Sequence, residues 1–157
     1  MNGEPSPDFW FKCLRAFLYG IGAVTLLAFG AAVMPEKWIV EASEFLGFVP
    51  FPFSALTFYL ARNLSLLYGF VGVLMLFMSC DIYRYRYLIR MLAKCTIAFG
   101  ILQLIVDAQA AMPIWWSLGE SFSTFVGGVF FYWLQSKVDW SGQKRPQMDH
   151  AVERTLL

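Results

Sequence analysis

The chain has 157 residues, 59% of them hydrophobic and 15% charged, with a formal net charge of +1. Soluble domains carry about 45–50% apolar and about 25% charged residues, so a water-soluble globule of this size is excluded and lipid is the natural solvent for the excess. With basic and acidic residues in near balance, nothing in the composition points to a nucleic-acid partner.

The first apolar block runs from Ala16 to Met34 without a charge. A spanning helix needs roughly 20 such residues. The block exceeds the usual 7–15 residues of a signal-peptide core, and Glu4 and Asp8 dilute the basic character ahead of it, so we read it as a retained helix over about 13–34. Pro35 suits the start of a helix. Behind it Trp38, Ile39, Ala42, Phe45 and Leu46 recur at helical spacing, opposite Glu36, Lys37, Glu41 and Glu44. This pattern predicts a short amphipathic helix over 36–46 lying at a membrane surface and stopped by Gly47. The stretch Phe48 to Phe53 contains Pro50 and Pro52, which rule out regular helix there.

A second block covers about 54–80 and carries Arg62 and Asn63 near its start. An Arg/Tyr-rich turn follows, with Arg84, Arg86, Arg90 and Lys94 interleaved with Tyr83, Tyr85 and Tyr87. We read these basic residues as contacts for anionic lipid headgroups. The third block spans about 87–112 and carries Gln103 and Asp107 near its end, and Trp115 and Trp116 then suit a membrane interface. The fourth is shorter, about 119–136, edged by Glu120 and Lys137. Residues 139–157 form a polar tail.

The predicted fold is all-α: one membrane domain over 1–138, a four-helix up-and-down bundle. Basic residues mark the cytoplasmic side of a membrane protein. With four spans, Lys12, Arg15, Arg84, Arg86, Arg90, Lys94, Lys137, Lys144, Arg145 and Arg154 fall on one side, leaving only Lys37 and Arg62 on the other. The expected protein is therefore an integral multi-pass protein of a bacterial cytoplasmic membrane, with both termini cytoplasmic.

Small residues at helical spacing suggest packing stripes, since lipid supplies no hydrophobic drive between helices. The candidates are Ala16, Gly20, Ala23 and Gly30; Arg62, Ser65, Gly69, Gly72 and Ser79; Thr96, Gly100, Gln103 and Asp107; and Glu120, Ser123 or Thr124, and Gly127. At about 1.5 Å rise per residue, Arg62 lies roughly 28 Å above Asp81 and Asp107 roughly 25 Å above Arg90. Similar depth predicts an Arg62–Asp107 ion pair with Asn63, Gln103 and Glu120 around it, at the mouth of an outward-facing pocket.

No catalytic or metal-binding signature stands out. Cys13, Cys80 and Cys95 form no C-x-x-C pair, and the single histidine, His150, lies in the tail, which excludes bis-histidine haem.

Tyr59-Leu-Ala-Arg-Asn63, the turn Asp81 to Arg90, and the helix ending Asp107-Ala-Gln-Ala-Ala-Met-Pro-Ile-Trp-Trp116 together resemble the small DoxX-like four-helix membrane proteins, over about 60 central residues. The resemblance implies an up-and-down bundle and an association with respiratory quinol oxidation or redox stress. It carries over no catalytic residue. Small multidrug exporters need a carboxylate in the first helix, and none is present here.

The function expected first is an accessory or binding subunit whose outer-leaflet polar pocket holds a lipid, a quinone or a partner helix. Membrane lipids are its expected partners, together with a membrane protein or a second copy. A proton-coupled transporter using Asp107 and Glu120 is the alternative, although such relays usually lie nearer the bilayer midplane. A membrane enzyme comes third, for want of a nucleophile or metal cluster.

Overall fold

The computed structural model describes residues 7–48 and 51–140. It is all-helical, with no strand among the described residues. The helices are α1 (Pro7–Leu26), α2 (Ala28–Ala32), α3 (Glu36–Phe45), α4 (Ala55–Cys80), α5 (Arg86–Gln109), α6 (Ile114–Ser117) and α7 (Ser123–Lys137). A π-helical turn, Leu118–Phe122, joins α6 to α7. Three segments are long and apolar enough to cross a membrane: Phe9–Ala32, Ala55–Cys80 and Arg86–Gln109. This is the helix content of a membrane protein. Large apolar side chains such as Leu67, Phe70 and Leu102 stay exposed on these segments, as a lipid-facing surface requires. The fourth predicted span is not one regular helix, because the π turn interrupts it and leaves α7 with 15 residues.

The described residues form two compact units, Arg15–Asp81 and a second that combines the start of α1 up to Leu14 with the stretch from Ile82 to Trp140. In the Arg15–Asp81 unit the first span tightens at Leu27. The amide of Leu27 reaches Val24 O and that of Gly30 reaches Leu27 O, both three residues back. The Thr25 hydroxyl also donates to Ile21 O at 2.8 Å. Side-chain back-bonding and three-residue closure of this kind bend a helix, which explains the break between α1 and α2.

α1 and α2 run antiparallel to α4, and the seam is glycine-lined. A Cβ added at Gly72 would come within 2.6 Å of Leu26 N and 2.8 Å of Gly22 O, and one at Gly69 within 2.5 Å of the Phe29 ring. The expected α4 stripe is therefore real at Gly69, Gly72 and Ser79, all buried. The expected first-helix stripe is corrected: Gly20 and Gly30 meet nothing, whereas Gly22 abuts Gly72 and Leu76. Several small residues share the helix, and only the partner backbone selects which face is used.

α3 matches its predicted span closely. Pro35 precedes it as the N-cap, and Lys37 and Glu41 form an exposed i,i+4 ion pair at 3.7 Å. Gly47 adopts φ +86 and donates to Glu44 O, while Phe48 donates to Ser43 O. This six-to-one and five-to-two pairing is a Schellman stop, which favours glycine in the left-handed position. α4 begins at Ser54, whose hydroxyl accepts from Thr57 N at 3.0 Å, the usual N-cap arrangement. Ahead of it Phe51 is buried against Phe58. Val49 and Pro50, within the expected turn, lie outside the described residues.

In the other unit α5 and α7 run antiparallel in close contact. A Cβ on Gly100 would lie 2.6 Å from Phe125 N, and one on Gly128 2.8 Å from Ile97 N. At one end Trp10 meets Trp133 edge-on at 5.3 Å, and Phe11 stacks on Tyr83 at 5.0 Å. The polar tail expected from 139 onward lies, apart from Asp139 and Trp140, outside the described residues.

Gly100 and Gly127 make a clean contrast. Gly100→Ala forces the α5 and α7 backbones apart and should destabilise by about 1–3 kcal/mol. Gly127, with open space around it, should accept alanine at no cost. Thermal unfolding of the two variants in detergent checks this, and equal melting temperatures would contradict the register described.

Candidate functional site

The α5 end of this unit is built by a second Schellman stop. Met112 N donates to Asp107 O at 3.0 Å and Ala111 N to Ala108 O at 3.4 Å, with Ala111 at φ +51. An alanine in this left-handed conformation costs about 1–2 kcal/mol. The reversal ends α5 at Gln109, three residues before the predicted boundary. Pro113 then caps α6, and the π turn follows.

These pieces line an open cleft of about 530 Å³, whose walls include Leu104, Asp107, Ala108, Ile114, Ser117 and Phe122. Its walls are mainly apolar. Asp107 is 7% exposed, and its Oδ2 accepts a hydrogen bond from the Ser121 hydroxyl at 2.5 Å. Ser121 is fully buried within the π turn. Wider turns of this kind occur often at functional sites because they re-aim side chains. Gln103 is half-buried, on the same face of α5 one turn before Asp107. Its Oε1 is buried with no hydrogen-bond partner among the described residues.

Glu120 is half-buried and makes no ion pair among the described residues. The expected stripe on the last helix, Glu120–Ser123/Thr124–Gly127, is shifted by one residue. The buried positions are Ser121, Gly128, Phe131, Leu134 and Gln135. Gly127 and Gly128 are adjacent, so the sequence permits either face; the backbone of Ile97 selects Gly128.

Arg62 and Asp107 belong to different units, and each has a partner within its own. Arg62 lies 3.8 Å from Glu36, with side-chain exposures of 38% and 60%, and Nη2 donates to Met34 O at 3.5 Å. Asn63 turns back on its own helix, donating to Tyr59 O at 2.9 Å. Arg62 thus ties α4 to the start of α3.

The four basic residues of the turn also separate. Arg84 sits 5.9 Å from the Tyr85 ring centre. Arg86 and Arg90 line a second, smaller pocket with Tyr87 and Trp140, while Lys94 is exposed further along α5. Among the cysteines, Cys80 donates to Leu76 O at 3.4 Å, and Cys95 is exposed. No group of three His, Cys, Asp or Glu side chains among the described residues could hold a metal ion.

Sequence reasoning missed Ser121, Gln135 and Trp140. The usable signal was the Gly127–Gly128 pair, since Gly128 lies seven residues after Ser121 and seven before Gln135, on one helical face. Comparison with models of known families, with curated proteins and with solved structures finds no match for this chain.

Ser121→Ala leaves a buried carboxyl oxygen without its donor and should cost about 1–3 kcal/mol. Glu36→Gln breaks a solvent-screened pair and should cost under about 1 kcal/mol. Chemical unfolding of both variants in the same detergent ranks them, and a larger loss for Glu36→Gln would refute the ranking.

Proposed function

We propose that this protein is a four-span binding subunit that holds an amphipathic small molecule in the pocket beside Asp107. The observation that carries the reading is a nearly buried carboxyl group at an apolar pocket of about 530 Å³. Small-molecule sites are usually clefts of about 300–1,000 Å³ with apolar walls and a few convergent polar groups. Ionisable residues within membrane segments are costly and are retained for pairing or for function.

Four crossings are supported by continuity. Helical hydrogen bonding continues from Ile114 to Lys137, α-helical on either side of the π turn, with Glu120 the one charge before its end. A π turn keeps backbone groups bonded within the segment, which is what lipid demands. The basic residues then gather on the cytoplasmic side, and the Asp107 pocket opens toward the outer leaflet. This arrangement agrees with the resemblance to DoxX-like proteins and their link to quinol chemistry.

The polarity of the pocket specifies the ligand's head. With Asp107 as the carboxylate, the Ser121 hydroxyl donates to Oδ2 and the remaining lone pairs are acceptors. A ligand should therefore bring a donor. A hydroquinone hydroxyl fits, and a quinone carbonyl, itself an acceptor, does not. Burying an acceptor against an acceptor leaves both unpaired, at about 1–3 kcal/mol each.

The binding test compares a decyl-chain hydroquinone with its oxidised form on purified protein. The hydroquinone should bind about ten-fold tighter or more. Asp107→Leu should erase the preference, and Ala108→Trp, which puts an indole into the cleft that Ala108 lines, should abolish binding. Undiminished binding to Ala108→Trp would overturn the pocket assignment. Topology is tested with single cysteines in a background lacking Cys13, Cys80 and Cys95. Gly119→Cys and Lys137→Cys should label from opposite faces of the membrane, and labelling from one face would overturn the fourth span.

A further inference from the structure

The second polar site of the unit lies at the other end of α5, about 25 Å from Asp107 along the helix. Arg86 and Arg90 stand one helical turn apart there, and with Tyr87 and Trp140 they line a pocket of about 170 Å³. Each arginine has one directional partner. Arg86 lies over the Tyr87 ring, 4.7 Å from its centre, with Nη2 donating to the Tyr87 hydroxyl at 3.0 Å. Arg90 Nε donates at 3.5 Å to Oε1 of Gln135, which is 2% exposed. The Trp140 indole donates to the Gln135 carbonyl at 3.2 Å, and its ring meets Tyr83 edge-on. Gln135 thus orients both an arginine and the tryptophan opposite it.

We infer that this pocket is a specific phosphate site, taking the phosphate of an anionic headgroup. A guanidinium fixed through its Nε keeps its two terminal nitrogens for an outside acceptor. Paired guanidinium groups match tetrahedral oxyanions better than ammonium groups do, because they present planar, multidentate donors. Both arginines are exposed, and each contact restricts its rotamers and so lowers the ordering cost of binding. A diffuse basic surface would use all four residues of the turn alike. Here Arg84 and Lys94 lie outside the pocket lining, so the site divides the cluster into two residues that recognise phosphate and two that contribute only general charge. The site is independent of the Asp107 pocket.

Protein reconstituted in phosphatidylcholine nanodiscs containing a minor fraction of phosphatidylglycerol should retain one phosphatidylglycerol per chain by native mass spectrometry after gentle release. Arg86→Gln with Arg90→Gln should reduce that retention about ten-fold, an equilibrium change of about 1.4 kcal/mol. Arg84→Gln with Lys94→Gln, which removes the same charge, should leave it intact. Gln135→Leu, with both arginines present, should weaken it several-fold. Millimolar inorganic phosphate tests the source: displacement of the lipid assigns recognition to the phosphate group, and failure to displace assigns it to the intact lipid in the same site. Equal loss in the two double variants, or no preference over phosphatidylcholine, would overturn the inference. Unchanged circular dichroism and melting establish that each variant is folded.

Discussion

The approach of α5 to α7 at Gly100 and Gly128 is the constraint on which the rest of this unit depends. Neither glycine has room for a Cβ, because the opposing atoms are backbone atoms of Phe125 and Ile97. In lipid such contacts carry much of the helix association, since burying apolar surface gains nothing over leaving it in the acyl chains. Separating the helices by the width of a methyl group would lengthen the reach of every side chain that crosses the seam. Two crossings matter most: Ser121 to Asp107 at one end and Arg90 to Gln135 at the other.

The same seam makes both polar sites possible and gives them different characters. At the Asp107 end, a Schellman reversal with alanine in a left-handed conformation and a π turn place irregular backbone beside a buried carboxyl group. Here the irregular backbone lines a cleft, a setting in which such backbone is tolerated even at membrane depth. At the Arg90 end the polar groups sit near a helix terminus, among aromatic rings that fix Trp140 and Tyr83. One end gathers carboxyl and amide oxygens and the other gathers guanidinium and indole donors.

The Arg15–Asp81 unit follows the same packing rule with a different outcome. Gly22, Gly69 and Gly72 bring α1, α2 and α4 together, and Arg62 reaches the start of α3. The Arg62–Glu36 contact is long and half-exposed, so it guides the orientation of α3 more than it stabilises the unit. Trp38 and Phe45 on α3 remain exposed, opposite its charged face, so its apolar stripe is not covered within the unit.

Composition and periodicity alone determined a great deal. The apolar blocks, the non-helical backbone at Pro52, the amphipathic α3 and its stop at Gly47 all follow from local rules, because each depends on residues within a few positions of one another. The stripe on α4 was legible for the same reason, since Gly69, Gly72 and Ser79 recur without close competitors. The pairings were not legible. Gly20 and Gly22, or Gly127 and Gly128, are equivalent to any reading of periodicity, and the choice rests on a backbone far away in sequence. Depth along a helix placed Arg62 level with Asp107, yet depth carries no rotation. Glu36 proved the acidic neighbour of one and Ser121 the hydroxyl partner of the other. A one-residue rotation of a helix, about 100°, is invisible to composition, and it is what tertiary contact decides.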